Sequence, residues 1–191
     1  MRKLVTLLAV AALTLTANAQ DFPKVDKSPL DLAYYPTKAV KRNFEKTEEA
    51  KVAGTPKMRV IYSRPMKKGR EIFGNLVKYN EPWRLGANER TEINFMTDVM
   101  IGDKKLTAGR YTIFAVPTEK EWTVTFNSHL DDWGVYKHDT ANDVVSVTVP
   151  VQTIEELEAF SIVLYSPAKD NTVHIKMGWD TTAVEVPVKM L

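Results

Sequence analysis

From Lys57 to the end of the chain, apolar residues fall on every second position in a series of short runs. Met58, Val60 and Tyr62 form the first; Thr91, Ile93 and Phe95 the second. The same alternation returns in Tyr111, Ile113 and Ala115, in Trp122, Val124 and Phe126, and in Val145, Val147 and Val149. Three more runs close the chain: Phe160, Ile162 and Leu164; Val173, Ile175 and Met177; Val184, Val186 and Val188. A period of two places one side of each run against a core and predicts half-buried β-strands. The runs are separated by Gly102-Asp103, Ala108-Gly109, Pro117 to Lys120, Lys169-Asp170-Asn171 and Asp180-Thr181-Thr182, all turn-forming sequences. Short strands with local connections predict an all-β domain, a β-sandwich or jelly roll, over residues 57–191.

The preceding stretch, residues 20–56, reads as a short helical N-terminal extension. Ser28-Pro29-Leu30-Asp31 carries a capping residue, a proline in the first helical position and an acid in the capping-box place. Pro36 stops that helix, and Thr37 caps a second one to about Val52, with Val40 and Phe44 as its apolar contact. Ahead of it, Met1, Arg2 and Lys3 precede the apolar run Leu4 to Leu15 and the small-residue triplet Ala17-Asn18-Ala19. This is the order of a secretory signal peptide over residues 1–19, cleaved after Ala19, and the run is too short for a spanning helix of about 20 residues. The expected location is therefore the periplasm or the medium, with no integral membrane segment after cleavage.

Removal of Arg2 and Lys3 leaves 24 basic residues against 24 acidic ones, so the mature chain is formally neutral. Nothing in that balance points to nucleic acid. The absence of cysteine excludes disulfides, thiolate catalysis and cysteine metal sites, so packing alone has to hold the fold.

Charge is nevertheless uneven. Lys57 to Glu92 holds nine Lys or Arg and four Glu, a net +5. Arg64, Lys68, Arg70 and Arg84 lie there among glycines 69, 74 and 86, which permit tight turns. Clustered guanidinium groups can hold carboxylate or phosphate through paired hydrogen bonds, which points to a small anion. The competing expectation is structural: Arg64, Arg70 and Arg84 pair with Glu71, Glu81 and Glu89 and pin a long loop.

Residues 127–143 contain His129, Asp131, Asp132, His138 and Asp139 without metal-ligand spacing, so they read as a polar loop and no metal or cofactor is expected. His174 alternates with Val173 and Ile175 and is expected to face solvent. Trp122 is in phase with a core face, whereas Trp83 and Trp133 sit beside glycine, as rings exposed for stacking or as plugs at the end of the sandwich. No nucleophile elbow, phosphate loop or dinucleotide fingerprint occurs.

Ser63-Arg64-Pro65, Lys68-Gly69-Arg70, Ile72-Phe73-Gly74, Trp83-Arg84, Gly86-Ala87-Asn88, Ala108-Gly109-Arg110-Tyr111 and Glu121-Trp122-Thr123-Val124 are similar to the family known as domain of unknown function 2911. The resemblance continues through Asn127, Trp133-Gly134, Asp143, Trp179-Asp180 and Val184-Glu185-Val186-Pro187, and so spans about Met58 to Leu191. It implies a small exported bacterial protein without an assigned activity. It also marks Arg64, Lys68, Arg70, Trp83, Arg84 and Asn88 as the motif surface, with Glu71 and Glu89 beside it. Three functions follow as expectations: a binder of a small polar or anionic ligand (sugar, carboxylate or phosphate), an envelope protein in which the cluster is structural, or a hydrolase or isomerase using Glu71 or Glu89.

Overall fold

The alternating positions become the facing sides of two antiparallel sheets packed as a sandwich. The structure, a computed structural model, describes residues 21–168 and 170–191. The expected signal peptide, residues 1–19, and Lys169 of the expected Lys169-Asp170-Asn171 turn lie outside the described residues.

The first sheet runs in the order β1 (Leu30–Tyr35), β2 (Met58–Ser63), β3 (Thr91–Phe95), β6 (Gly109–Pro117), β7 (Glu121–Asn127) and β8 (Asp143–Pro150). The second runs β5 (Lys104–Leu106), β4 (Val99–Ile101), β10 (Thr172–Met190) and β9 (Gln152–Tyr165). Register brings the apolar positions into rows across the first sheet: Thr91 faces Ile113, Ile113 faces Phe126, and Phe126 faces Val145. A one-residue slip would turn each row out to solvent, so burial fixes the register.

Between the sheets lie Phe95, Trp122, Phe126, Phe160 and Trp179, all fully buried. Fully burying one Val, Leu, Ile, Phe or Met side chain contributes about 1.5–3 kcal/mol, which is how a chain without disulfides holds this sandwich.

Strand β10 contains two of the expected strands in one extended element that doubles back at Asp180 (φ 54°). After the reversal Ala183 lies against Gly178, and Met190 N donates to Asn171 O at 2.7 Å. The sequence reading missed the hairpin β4–β5, whose three-residue strands flank Gly102-Asp103 and are too short to show a period.

The largest departure is at the N-terminal extension. Residues Leu30–Tyr35 form strand β1 and not a helix, pairing along their whole length with β2. A helix stopped by Pro36 would have been too short to sustain itself, whereas the ladder sets Ala33 opposite Val60 and Tyr35 opposite Met58. The expected Thr37–Val52 helix is broken into a 3-10 turn, Ala39–Phe44, and helix α1, Glu48–Ala53, capped by the Thr47 hydroxyl. Val40 and Phe44 do not form a buried contact; both are exposed.

Candidate functional site

The segment from Trp83 to Arg90 closes one end of the sandwich, and its backbone is bent to do so. Leu85 and Asn88 take left-handed conformations (φ 55° and 59°), which cost energy for residues other than glycine. Gly86 has φ 148°, and a Cβ there would stand 3.0 Å from the Ser63 carbonyl oxygen, so the turn needs glycine. Trp83 anchors the start of the segment by exchanging both backbone hydrogen bonds with Ala115. Its indole donates to Gly86 O at 3.2 Å and packs on Phe73, Trp122, Phe160 and Trp179 with centroids 5.1–6.1 Å apart. Of the two tryptophan roles open from sequence, Trp83 is therefore the plug.

A second loop lies alongside. Glu89 bridges Trp133, and Gly134 N donates to Asn88 O at 3.2 Å. Arg90 locks the two loops together from inside: its side chain is 2% exposed, its Nε donates to Gly134 O at 2.6 Å, and its Nη2 lies 2.8 Å from Asp132 Oδ2. That last contact pairs the charges, although its N–H directions are too poorly aligned for a hydrogen bond. Sequence reasoning counted Arg90 only within the charge excess, because nothing in its neighbours signals burial.

With the loops fixed in this way, Trp133 and Tyr136 stack on each other at the surface, centroids 5.7 Å apart and planes 21° from parallel. They are 56% and 75% exposed. The Arg84 guanidinium carbon sits 5.5 Å from the centre of the Trp133 ring. Arg84 makes no ion pair among the described residues, and its Nε is buried without a hydrogen-bond partner. Beside it opens a cleft of about 210 Å³ lined by Lys78, Glu81, Pro82, Trp83, Arg84 and Tyr136, among others.

The other candidate residues are elsewhere. Arg64 donates to Asp31 Oδ2 at 3.0 Å, Ser161 Oγ at 2.8 Å and Phe160 O at 3.2 Å, tying β1 to β9. Arg70 folds back on its own turn and donates to Lys67 O and Met66 O. Lys68 is exposed, with its backbone N donating to Glu158 Oε1 at 2.9 Å, and Glu71 is exposed nearby. Asn88 donates to Asp26 Oδ1 at 3.1 Å, while Glu89 is exposed. The structure thus groups Trp83 with Arg84 and Asn88 with Glu89, and it separates both pairs from Arg64 and from the Lys68–Glu71 turn. None of Arg64, Arg70 and Arg84 pairs with Glu71, Glu81 or Glu89, because the arginines find Asp31, backbone carbonyls and an indole face instead.

In the 127–143 loop, His138 Nε2 and Asp143 Oδ2 are 3.1 Å apart, Asn127 donates to Asp143 Oδ1, and the His138 ring packs edge-on against Phe114. The loop thereby covers the outer side of the first sheet. His174 lies on the outer side of the second sheet, as its alternation with buried Val173 and Ile175 implies, but is half-buried there, with Nδ1 3.0 Å from Glu185 Oε2. The same carboxylate accepts from Tyr165 at 2.8 Å and pairs with Lys176 at 3.0 Å. Burial pushes the Glu185 carboxyl upward, but the hydrogen bonds from Lys176, Tyr165 and His174 and the Lys176 charge outweigh it and hold it below its ordinary value.

A family model described as "Protein of unknown function (DUF2911)" matches residues 44–188. No curated protein and no solved structure matches the chain.

Proposed function

Because the chain belongs to the DUF2911 family, whose description assigns no activity, we propose its role from geometry: an exported protein that binds a small anionic ligand with a flat ring face. The ligand's ring lies against the exposed Tyr136 ring, which Trp133 backs, and its anionic oxygens meet Arg84. Export rests on the positive start, apolar run and Ala17-Asn18-Ala19 of the sequence, and places the binding surface in the periplasm or the medium.

The observation that carries this reading is Arg84. A half-buried guanidinium with no carboxylate and an unpaired Nε forgoes the partners that buried charges ordinarily keep. Its packing on Trp133 orients the fork without using up its donors. The Tyr136 ring beside it offers a flat apolar face with a polar edge, a pairing with the guanidinium suited to a sugar acid or a planar carboxylate.

The test is a titration of glucuronate, with glucose as the uncharged control, followed by tryptophan fluorescence. Glucuronate should bind and glucose should bind at least tenfold more weakly. Arg84→Ala should weaken glucuronate by about 1.5–3 kcal/mol, roughly ten- to hundredfold in Kd. Arg84→Lys should recover only part, since it keeps charge and loses the planar fork. An affinity unchanged in Arg84→Ala, or no binding by the parent, overturns the proposal.

A further inference from the structure

Beyond that cleft, the same segment borders a second hollow of opposite character, between the Asn88-Glu89 corner and the strand entering β1. Its volume is about 320 Å³, and Asp26, Pro29, Leu30, Ser63, Asn88 and Glu89 shape it. We infer that this hollow is a binding site for a protonated amine carried on a ring of about monosaccharide size.

Charge sets the sign of the ligand. Two carboxylates line the hollow, Asp26 and Glu89, and no Lys or Arg does. Neither carboxylate belongs to an ion pair among the described residues. Asp26 is held in place rather than neutralised: its Oδ1 accepts from Ser28 N at 2.6 Å and from the Asn88 side-chain amide at 3.1 Å, which leaves Oδ2 for a ligand.

Ser63 supplies an independent observation. It is 2% exposed, lines the hollow, and its Oγ has no hydrogen-bond partner among the described residues. A buried hydroxyl is ordinarily satisfied, and one left unpaired in a residue that borders a cavity is a place where a ligand's polar group would complete it. The strand alternation explains its aim: Tyr62 points into the core, so Ser63 points to the other side, in register with Leu30.

Size decides between an ion and an organic ligand. A bound calcium ion needs six to eight oxygens at about 2.3–2.6 Å and little volume of its own, whereas this hollow has room on the order of ten waters. Pro29 and Leu30 give it an apolar wall against which a ring face can lie. The site differs from the Arg84 cleft in residues and in ligand charge, so either can fail alone.

Calorimetric titration with glucosamine near pH 7, with glucose and calcium chloride as separate arms, tests it. Glucosamine should bind and glucose at least tenfold more weakly. Glu89→Gln should weaken glucosamine at least tenfold and Ser63→Ala severalfold, while Arg84→Ala should leave it unchanged. Glu89 is exposed and Ser63 Oγ is unpaired, so both variants should fold, with thermal melts as the check. No glucosamine binding, equal binding of glucose, or retention in Glu89→Gln overturns the inference. Calcium binding that glucosamine cannot displace would make the hollow a metal site and overturn it as well.

Discussion

The outer side of the second sheet and the Trp83–Arg90 end of the sandwich are both charged, and they treat their charges in opposite ways. Around Glu185 each oxygen has a donor, and Tyr165, His174 and Lys176 converge on one carboxylate. At the Trp83–Arg90 end, Arg84 lacks a carboxylate and Ser63 Oγ lacks a hydrogen-bond partner among the described residues. Folding alone selects the first arrangement, since a satisfied polar network stabilises a unique packing. The second is the arrangement that the proposed ligand would complete. Arg90 is the exception that sharpens the contrast: six residues from Arg84, it is buried and paired, and it builds the surface without being part of it.

The largest effect expected from this contrast is on Arg90. Arg90→Ala should lower unfolding free energy by about 2–4 kcal/mol in chemical denaturation, because it removes a buried side chain with its bond to Gly134 O and its pair with Asp132, and frees the Trp133 loop. A loss under about 1 kcal/mol would remove Arg90 from the structural side of the comparison.

Glu185 comes next. Its Gln variant keeps the shape but loses charge-assisted bonds, at a cost of about 1–3 kcal/mol near neutral pH. Its folded pKa is depressed, so the contribution is present above the unfolded value of about 4.3 and fades as pH falls through the lower folded value. Melting curves of parent and Glu185→Gln should therefore converge in acid. A gap that stays constant from neutral pH into acid would contradict the charge account.

Arg84→Ala should have the smallest effect on stability, at most about 1 kcal/mol, the scale of one exposed cation–π contact. A loss comparable to that of Arg90→Ala would show that Arg84 too is a structural charge.

Sequence alone made the strands with long alternation legible, because Trp122, Val124 and Phe126 or Met58, Val60 and Tyr62 each repeat a burial decision several times over. It misled at Leu30–Tyr35, where a local capping pattern competes with a ladder to β2 that the sequence between them cannot reveal. Arg84 was legible as a candidate, and Trp133 as one of two exposed-ring candidates. The grouping was not, since it depends on which loop each side chain meets: Arg64 reaches β9, Arg70 its own turn, and Asn88 the N-terminal Asp26. Ser63 and Arg90 were invisible as site-builders because burial of a serine or an arginine is decided by tertiary neighbours and leaves no local period.

The reversal of β10 at Asp180 also bears on the order of assembly. Its returning half pairs with β4 while its outgoing half pairs with β9, so the second sheet has its latest-made strand in its middle. Until residues 172–190 have emerged, β4–β5 and β9 have no common partner, and the Trp179 side of the aromatic core is missing. Such a topology delays commitment: non-local pairings dominate, closure is slow, and the nascent chain stays unfinished through most of its synthesis. On the proposed export reading, that delay gives the chain time to reach a membrane before it folds.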